Sequence, residues 1–142
     1  MRTLGLDIGT RRIGVALSDE MGWTGMPLET VPVRRDGSHL TRIATICRER
    51  QVTAIVAGLP LNMDGTEGRA VRQVRTVLAK VRETTGLPIH EWDERLTTVA
   101  AERVLKQSGM HHARRRHVVD QLSASLILQG YLEAKANNTQ TP

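Results

Sequence analysis

Residues 2–19, "RTLGLDIGTRRIGVALSD", decide how this chain is read. Two short runs of period-two character, "RTLGLDIG" and "RRIGVALSD", meet at a Gly-Thr-Arg segment, a pattern that predicts a β-hairpin. In the first run Leu4, Leu6 and Ile8 alternate with Thr3, Gly5 and Asp7, so a strand places the Asp7 carboxylate on the face opposite the large aliphatic side chains. Asp is depleted in strands, and a buried carboxylate is costly unless it is paired. Asp7 is therefore either a turn-forming residue that pins the hairpin or an acid whose partner lies elsewhere in the fold.

Working outward, "PLETVPVRR" (27–35) reads as a third strand and "RDGS" (35–38) as a turn. Ser38 is a good N-cap, and Leu40, Ile43, Ala44 and Cys47 recur at helical spacing to about Arg50. "TAIVAGLP" (53–60) is an apolar run ended by Gly58 and Pro60, the pattern of a strand buried on both faces. After the loop "LNMDGTEG" (61–68), a helix beginning near Thr66 carries Val71, Val74, Leu78 and Val81 on one side until Gly86 and Pro88 stop it. "PIHEWDE" (88–94) is the last strand. Helices are expected at about Thr97 to Lys106 and at about His117 to Ala134, joined by "SGMHHARRR". Three meandering strands followed by strand and helix alternation predict an α/β fold: one mixed five-stranded sheet with helices on both faces, not an all-parallel doubly wound sheet. Residues 1–136 form a single domain in this reading, and the polar stretch 137–142 a flexible tail.

The chain has 142 residues, of which 39% are hydrophobic and 25% charged, a globular and not a disordered composition. No apolar run approaches the roughly 20 residues of a membrane helix, and the N-terminus lacks a signal-peptide layout. The lone Cys47 cannot form an internal disulfide, which agrees with a reducing, cytoplasmic compartment. Twenty Lys and Arg against 15 Asp and Glu give a charge of +5, which favours a polyanionic partner such as nucleic acid. Trp23, Trp92 and Tyr131 are the only aromatics apart from histidine, which argues against a base-stacking platform and for a surface that reads backbone or shape.

Three acids stand in unusual places. Asp7 lies in the first strand, Glu94 closes the last one, and Asp120 lies in the last helix, where residues 120, 123, 124 and 127 share a face with small Ser123 and Ala124. Each has an ordinary alternative: a turn for Asp7, an ion pair with Arg95 for Glu94, and a favourable position near a helix start for Asp120. Val119, Leu122 and Leu126 read as part of that helix's apolar stripe. Taken together, three hard oxygen donors, without a cluster of Cys or suitably spaced His, are the ligand set of Mg²⁺ or Mn²⁺. Ions held in that way hydrolyse phosphodiesters. His111, His112 and His117 have no Cys or acid at structural zinc spacing.

"LGLDIGTRRIGVALSD" (4–19), "VAGLPLNMDGTEG" (56–68), "DERLTT" (93–98) followed by "AAERVL", and "RRHVVDQLSASLILQGYL" (115–132) together resemble the YqgF family, also called RuvX-like. That family comprises nucleases of pre-16S rRNA first grouped with Holliday junction resolvases. The motifs stand in the family's order and span about residues 3 to 132. The resemblance implies a ribonuclease H-like fold and a nuclease in which Asp7, Glu94 and Asp120 are the metal-binding and catalytic acids. Asp93, beside Glu94 in the same motif, competes with it for that assignment. The expected substrate is structured RNA, pre-16S rRNA or the ribosomal particle that carries it, with branched DNA as the alternative. A monomer and a homodimer are both compatible, a two-fold dimer being the form that suits junction resolution.

Arg11 and Arg12 are candidate phosphate contacts, their alternative being a solvated hairpin tip. Arg95 is placed to steady Glu94 or to touch substrate. Arg114, Arg115 and Arg116, just ahead of the helix that carries Asp120, are candidate phosphate clamps or a solvated loop. The helix expected near Thr66 would offer backbone N–H groups to an anion, while capping by Asp64 or Thr66 explains the same residues. Two rival functions remain. "LDIGT" also fits the phosphate loop of actin-like and sugar kinases, which close two such lobes where this chain supplies one. A binding module that holds structured nucleic acid without cutting it is the other.

Overall fold

The structure, a computed structural model, describes residues 1–95 and 112–140, with the side chains of 1–95 and 118–136. The elements are β1 (Arg2–Ile8), β2 (Arg12–Ser18), β3 (Gly25–Pro32), α1 (Ser38–Glu49), β4 (Val52–Leu59), α2 (Arg69–Thr85), β5 (Ile89–Asp93) and α3 (His112–Gln140). The five strands form one mixed sheet in the order β3-β2-β1-β4-β5. β1, β2 and β3 meander antiparallel, while β1, β4 and β5 run parallel. The expected hairpin is β1 and β2, closed by a hydrogen bond from the Gly9 N–H to the Arg12 carbonyl at 2.9 Å.

Strand alternation divides the sheet into two unlike faces. Leu4, Leu6, Ile13, Val15, Ile55 and Ala57 face α1 and α2, where Ile43, Ile46, Val71, Val74, Leu78 and Val81 complete the larger core. The opposite face is covered by α3, and its buried cluster is small: Ala16, Val56, Ala124, Ile127, Leu128 and Leu132, with Trp92 and Tyr131 against it. β4 is buried on both faces, as its apolar run predicts. Gly58 does not end that strand. It lies inside it, where a glycine usually marks the close approach of another group.

The helix boundaries differ from the sequence reading for local reasons. Gly37, in the left-handed region at φ 77°, occupies the cap position of α1, and Ser38 is the first helical residue, its N–H donating to Asp36 Oδ1 at 2.9 Å. α2 starts at Arg69, after Gly68, not near Thr66. Asp64 instead closes a local turn, accepting from both the N–H and the hydroxyl of Thr66 at 3.0 and 2.6 Å. Thr66 therefore gives no helix terminus for an anion. Gly86, at φ 69°, ends α2 as expected. α3 is longer than predicted at both ends. It takes in "HARRR", and it extends through Gln140, where the sequence reading placed a flexible tail from residue 137. No Gly or Pro interrupts residues 131–140, so no helix breaker lies within that stretch. The helix expected at about Thr97 to Lys106 lies outside the described residues. Among the described residues no helix is long and apolar enough to cross a membrane.

Candidate active site

The site is built on the α3 face of the sheet. Asp7 sits near the end of central strand β1, and its register partner on β2 is Gly14. On the other side β4 pairs Ala57 with Leu6, so Gly58 follows alongside Asp7. These two glycines make room for the other acids. A β-carbon on Gly14 would overlap the Asp120 carbonyl, so only glycine lets α3 settle onto the sheet at this point. A β-carbon on Gly58 would overlap the Glu94 carboxylate and lie 2.6 Å from Ile127 Cδ1. Asp7 is thus flanked by two gaps, one filled by the helix that carries Asp120 and the other by Glu94.

Glu94, not Asp93, turns toward Asp7. The Asp93 carboxylate faces outward to Arg95, which grips it through Nε at 2.8 Å and Nη2 at 2.6 Å and through its backbone N–H at 3.0 Å. That grip holds Asp93 below the usual carboxylate range. Strand alternation explains the split, because successive side chains leave opposite faces of β5 and its continuation. Arg95 also reaches the Met63 carbonyl at 3.3 Å, so it ties the β5 end to the loop after β4. Among the described residues its hydrogen-bond partners are Asp93 and Met63.

The Asp7 and Glu94 carboxyls share a hydrogen bond. Burial, reinforced by the charge of Asp120, pushes Asp7 up to about 6, and the bond from Glu94 draws it partly back. Burial pushes Glu94 up to about 8, helped by the charge of Asp7, the bond to Asp7 and the charge of Asp93. Near neutrality the pair therefore shares a proton.

Asp120 lies in the third turn of α3, too far from the helix start for the macrodipole to explain it. Its carboxylate receives the Arg12 Nε–H at 2.6 Å. Arg12 is thus a partner of Asp120, while Arg11 is exposed at the hairpin tip. Leu126, read as part of the apolar stripe, is exposed; the buried face of α3 runs through Ser123, Ala124, Ile127 and Leu128 instead. Ser123 lies one turn beyond Asp120 on that face, fully buried, and its hydroxyl has no protein partner among the described residues. Arg114, Arg115 and Arg116 belong to the first turns of α3 itself and not to a preceding loop, with Arg116 one turn ahead of Asp120. Their side chains lie outside those described.

Sequence reasoning singled out the three acids that the structure brings together. It missed Gly58, which it took for a strand end, although a glycine inside a buried strand was itself a signal. Among the described residues no three carboxylate, imidazole or thiol groups stand close enough to enclose an ion. Two of the acids nevertheless touch and the third acts on Asp7 through its charge, and all donors are hard oxygens. Buried like charges that retain a proton fit a site for a divalent cation, whose charge would relieve their repulsion.

Known proteins resemble this chain over nearly its whole length. A pre-16S rRNA nuclease relative from Moorella thermoacetica, described as "Putative pre-16S rRNA nuclease", is 46% identical over 138 residues, 97% of this chain and 99% of the relative. One from Geobacillus thermodenitrificans with the same description is 46% identical over 137 residues, 95% and 99% of the two chains. Among solved structures, RuvC of Thermus thermophilus in complex with a Holliday junction substrate superposes with a TM-score of 0.57 at 17% identity, covering 96% of each chain. The Fowlpox virus resolvase in complex with Holliday junction DNA gives 0.57 at 10% identity, covering 95% of this chain and 99% of the other. These likenesses establish the ribonuclease H-like fold. Residues 1–134 match the profile of the RuvX family, described as Holliday junction resolvase, and the chain belongs to that family.

Proposed function

We propose that this protein is a metal-dependent endonuclease that hydrolyses phosphodiester bonds in structured RNA, with the 5′ region of pre-16S rRNA as its substrate. The observation that carries the reading is the convergence of Glu94 and Asp120 on Asp7, through gaps that only Gly58 and Gly14 leave open. The names borne by relatives at 46% identity favour precursor rRNA. The family description favours a second reading, cleavage of four-way DNA junctions by the same acids.

Asp7 and Asp120 would hold Mg²⁺ or Mn²⁺, and Glu94 would complete the shell or orient the attacking water. When bound, the cation supplies Lewis acidity toward the phosphate, lowers the pKa of the water and stabilises the leaving oxygen. Asp7 contributes rigidity, because a central strand fixes its backbone on both sides. Glu94 would have to release the proton it shares with Asp7 to serve as an anionic donor there. Arg12, already seated on Asp120, brings a guanidinium to the place where substrate phosphate approaches. Water oxygen bonds to phosphorus, the P–O bond to the leaving nucleoside breaks, the proton lost by water leaves through a carboxylate or solvent, and the leaving oxygen takes up a proton from solvent. Arg114, Arg115 and Arg116 would hold the flanking backbone.

Purified protein is incubated with pre-16S rRNA fragments and with four-way DNA junctions, with and without Mn²⁺, beside Asp7→Asn. Cleavage of the RNA that needs Mn²⁺ and falls at least about 100-fold in Asp7→Asn is expected. Unchanged cleavage in that variant overturns the metal site. Junction cleavage alone selects the second reading, and binding without cleavage in either metal selects a non-cleaving module.

A further inference from the structure

One groove among the described residues lies on the strand that leads to Glu94. It has a volume of about 850 Å³ and follows the outer edge of β5, where it meets α3 and the end of α2. That volume is in the range of sites that take a sizeable ligand. The fold gathers into it two of the chain's three Trp and Tyr residues. Tyr131 stacks on His90 with centroids 5.4 Å apart and planes 24° from parallel, and Trp92 meets Tyr131 edge-on at 6.4 Å. The Trp92 indole packs where a Gly130 side chain would be, 3.2 Å from the position of its β-carbon, so a glycine on α3 seats the ring.

Two further features indicate what the groove takes. Its cations are Arg82 and Lys135, while Glu91, its only acid, is already held by Arg75 at 2.9 and 3.2 Å. The lining is therefore aromatic with a positive rim, the combination that holds single-stranded nucleic acid through bases on rings and phosphates on cations. His90, Trp92 and Glu94 also share the α3 face by strand alternation, so the groove and the acids open on the same side of β5. Four residues of strand span about 13 Å, room for roughly two nucleotides.

We infer that the groove between β5 and α3 binds a single-stranded extension of the nucleic acid substrate, with one base against His90 and Tyr131 and the backbone along Arg82. Exposed His90 offers the open ring face, and Trp92 supports Tyr131 from the side. This deepens the reading above: it rests on the nucleic-acid substrate but not on cleavage. It also makes the preferred substrate a duplex end or junction with an unpaired flank, held so that the flank runs from the acids over the edge of the sheet.

The test is fluorescence anisotropy with the full chain in EDTA, where no cleavage occurs. The probes are an RNA hairpin with a blunt end and the same hairpin with an extension of about six nucleotides, at the 5′ end in one version and the 3′ end in another. One extension should tighten binding about tenfold. His90→Ala, at an exposed position, and Tyr131→Leu, which keeps apolar packing, should each remove most of that gain and leave blunt-end affinity within about twofold. Equal affinity of the wild-type protein for all probes overturns the inference, as does an equal loss on blunt and extended hairpins. So does sedimentation showing a dimer that His90→Ala dissociates, which would make the groove a contact between copies. A retained tenfold gain beside failed cleavage in Mn²⁺ leaves the groove standing and removes the nuclease reading instead.

Discussion

The two faces of this sheet are made by the same strands and built by opposite rules. Toward α1 and α2 the strands present Leu4, Leu6, Ile13, Val15 and Ile55, all without exposed surface. Toward α3 they present Gly5, Asp7, Gly14, Ala16 and Gly58, and the helix answers with Ser123 and Ala124. The first face buries large apolar area and stabilises the fold. The second gives up that area so that a helix backbone and two carboxyls can approach one strand. A sheet fixed on one side by ordinary packing can carry on its other side the like-charge cluster that by itself would destabilise it.

Substitutions on the two faces should separate stability from activity. Ile43→Ala in α1 removes a fully buried side chain and should cost about 2–5 kcal/mol of unfolding free energy, while cleavage at a permissive temperature stays within a few-fold. Gly14→Ala should cost less, about 1–3 kcal/mol, yet displace Asp120 and lower cleavage about 100-fold. Urea titration and initial cleavage rates of both variants check the pair. If Gly14→Ala retains full activity, the close approach of α3 does not set the site.

The acids make the stability of the site face depend on pH. Asp7 and Glu94 have folded pKa values above their unfolded ones, so the native state binds more protons between about pH 4 and 8. In EDTA this contribution favours the fold at the acid end and is lost as pH rises through the window. Glu94→Gln should flatten that fall, making the variant more stable than the wild-type protein at pH 8.5 by on the order of 2 kcal/mol, as read from urea midpoints. Cation binding should release about one proton per ion below pH 8, and calorimetry of Mn²⁺ binding in buffers of different ionisation enthalpy measures it. The smallest effect is expected at Ser123. Replacing its unpartnered hydroxyl in Ser123→Ala should leave stability unchanged or raise it by up to about 1 kcal/mol.

Much of this was legible before any coordinates. Period two in residues 2–8 placed Asp7 opposite the aliphatic side chains, because strand alternation is a local property of the backbone. The succession of strands and helices along the chain and the helix face through 120, 123, 124 and 127 followed from similar local rules, and the order of the four motifs pointed to the family. Boundaries were less legible, as at Thr66, where a polar turn imitates a helix start.

The sequence by itself therefore determined the elements, the faces their side chains take and the three acids worth attention. Only the tertiary structure decided that Glu94 and not Asp93 meets Asp7, that Arg12 sits on Asp120, and that Gly58 is a gap instead of a strand end. It also decided that scattered His90, Trp92 and Tyr131 line one groove. The physical reason is common to all four. Each depends on the register between strands and on how closely α3 approaches the sheet, and these are set by packing between residues far apart in the chain.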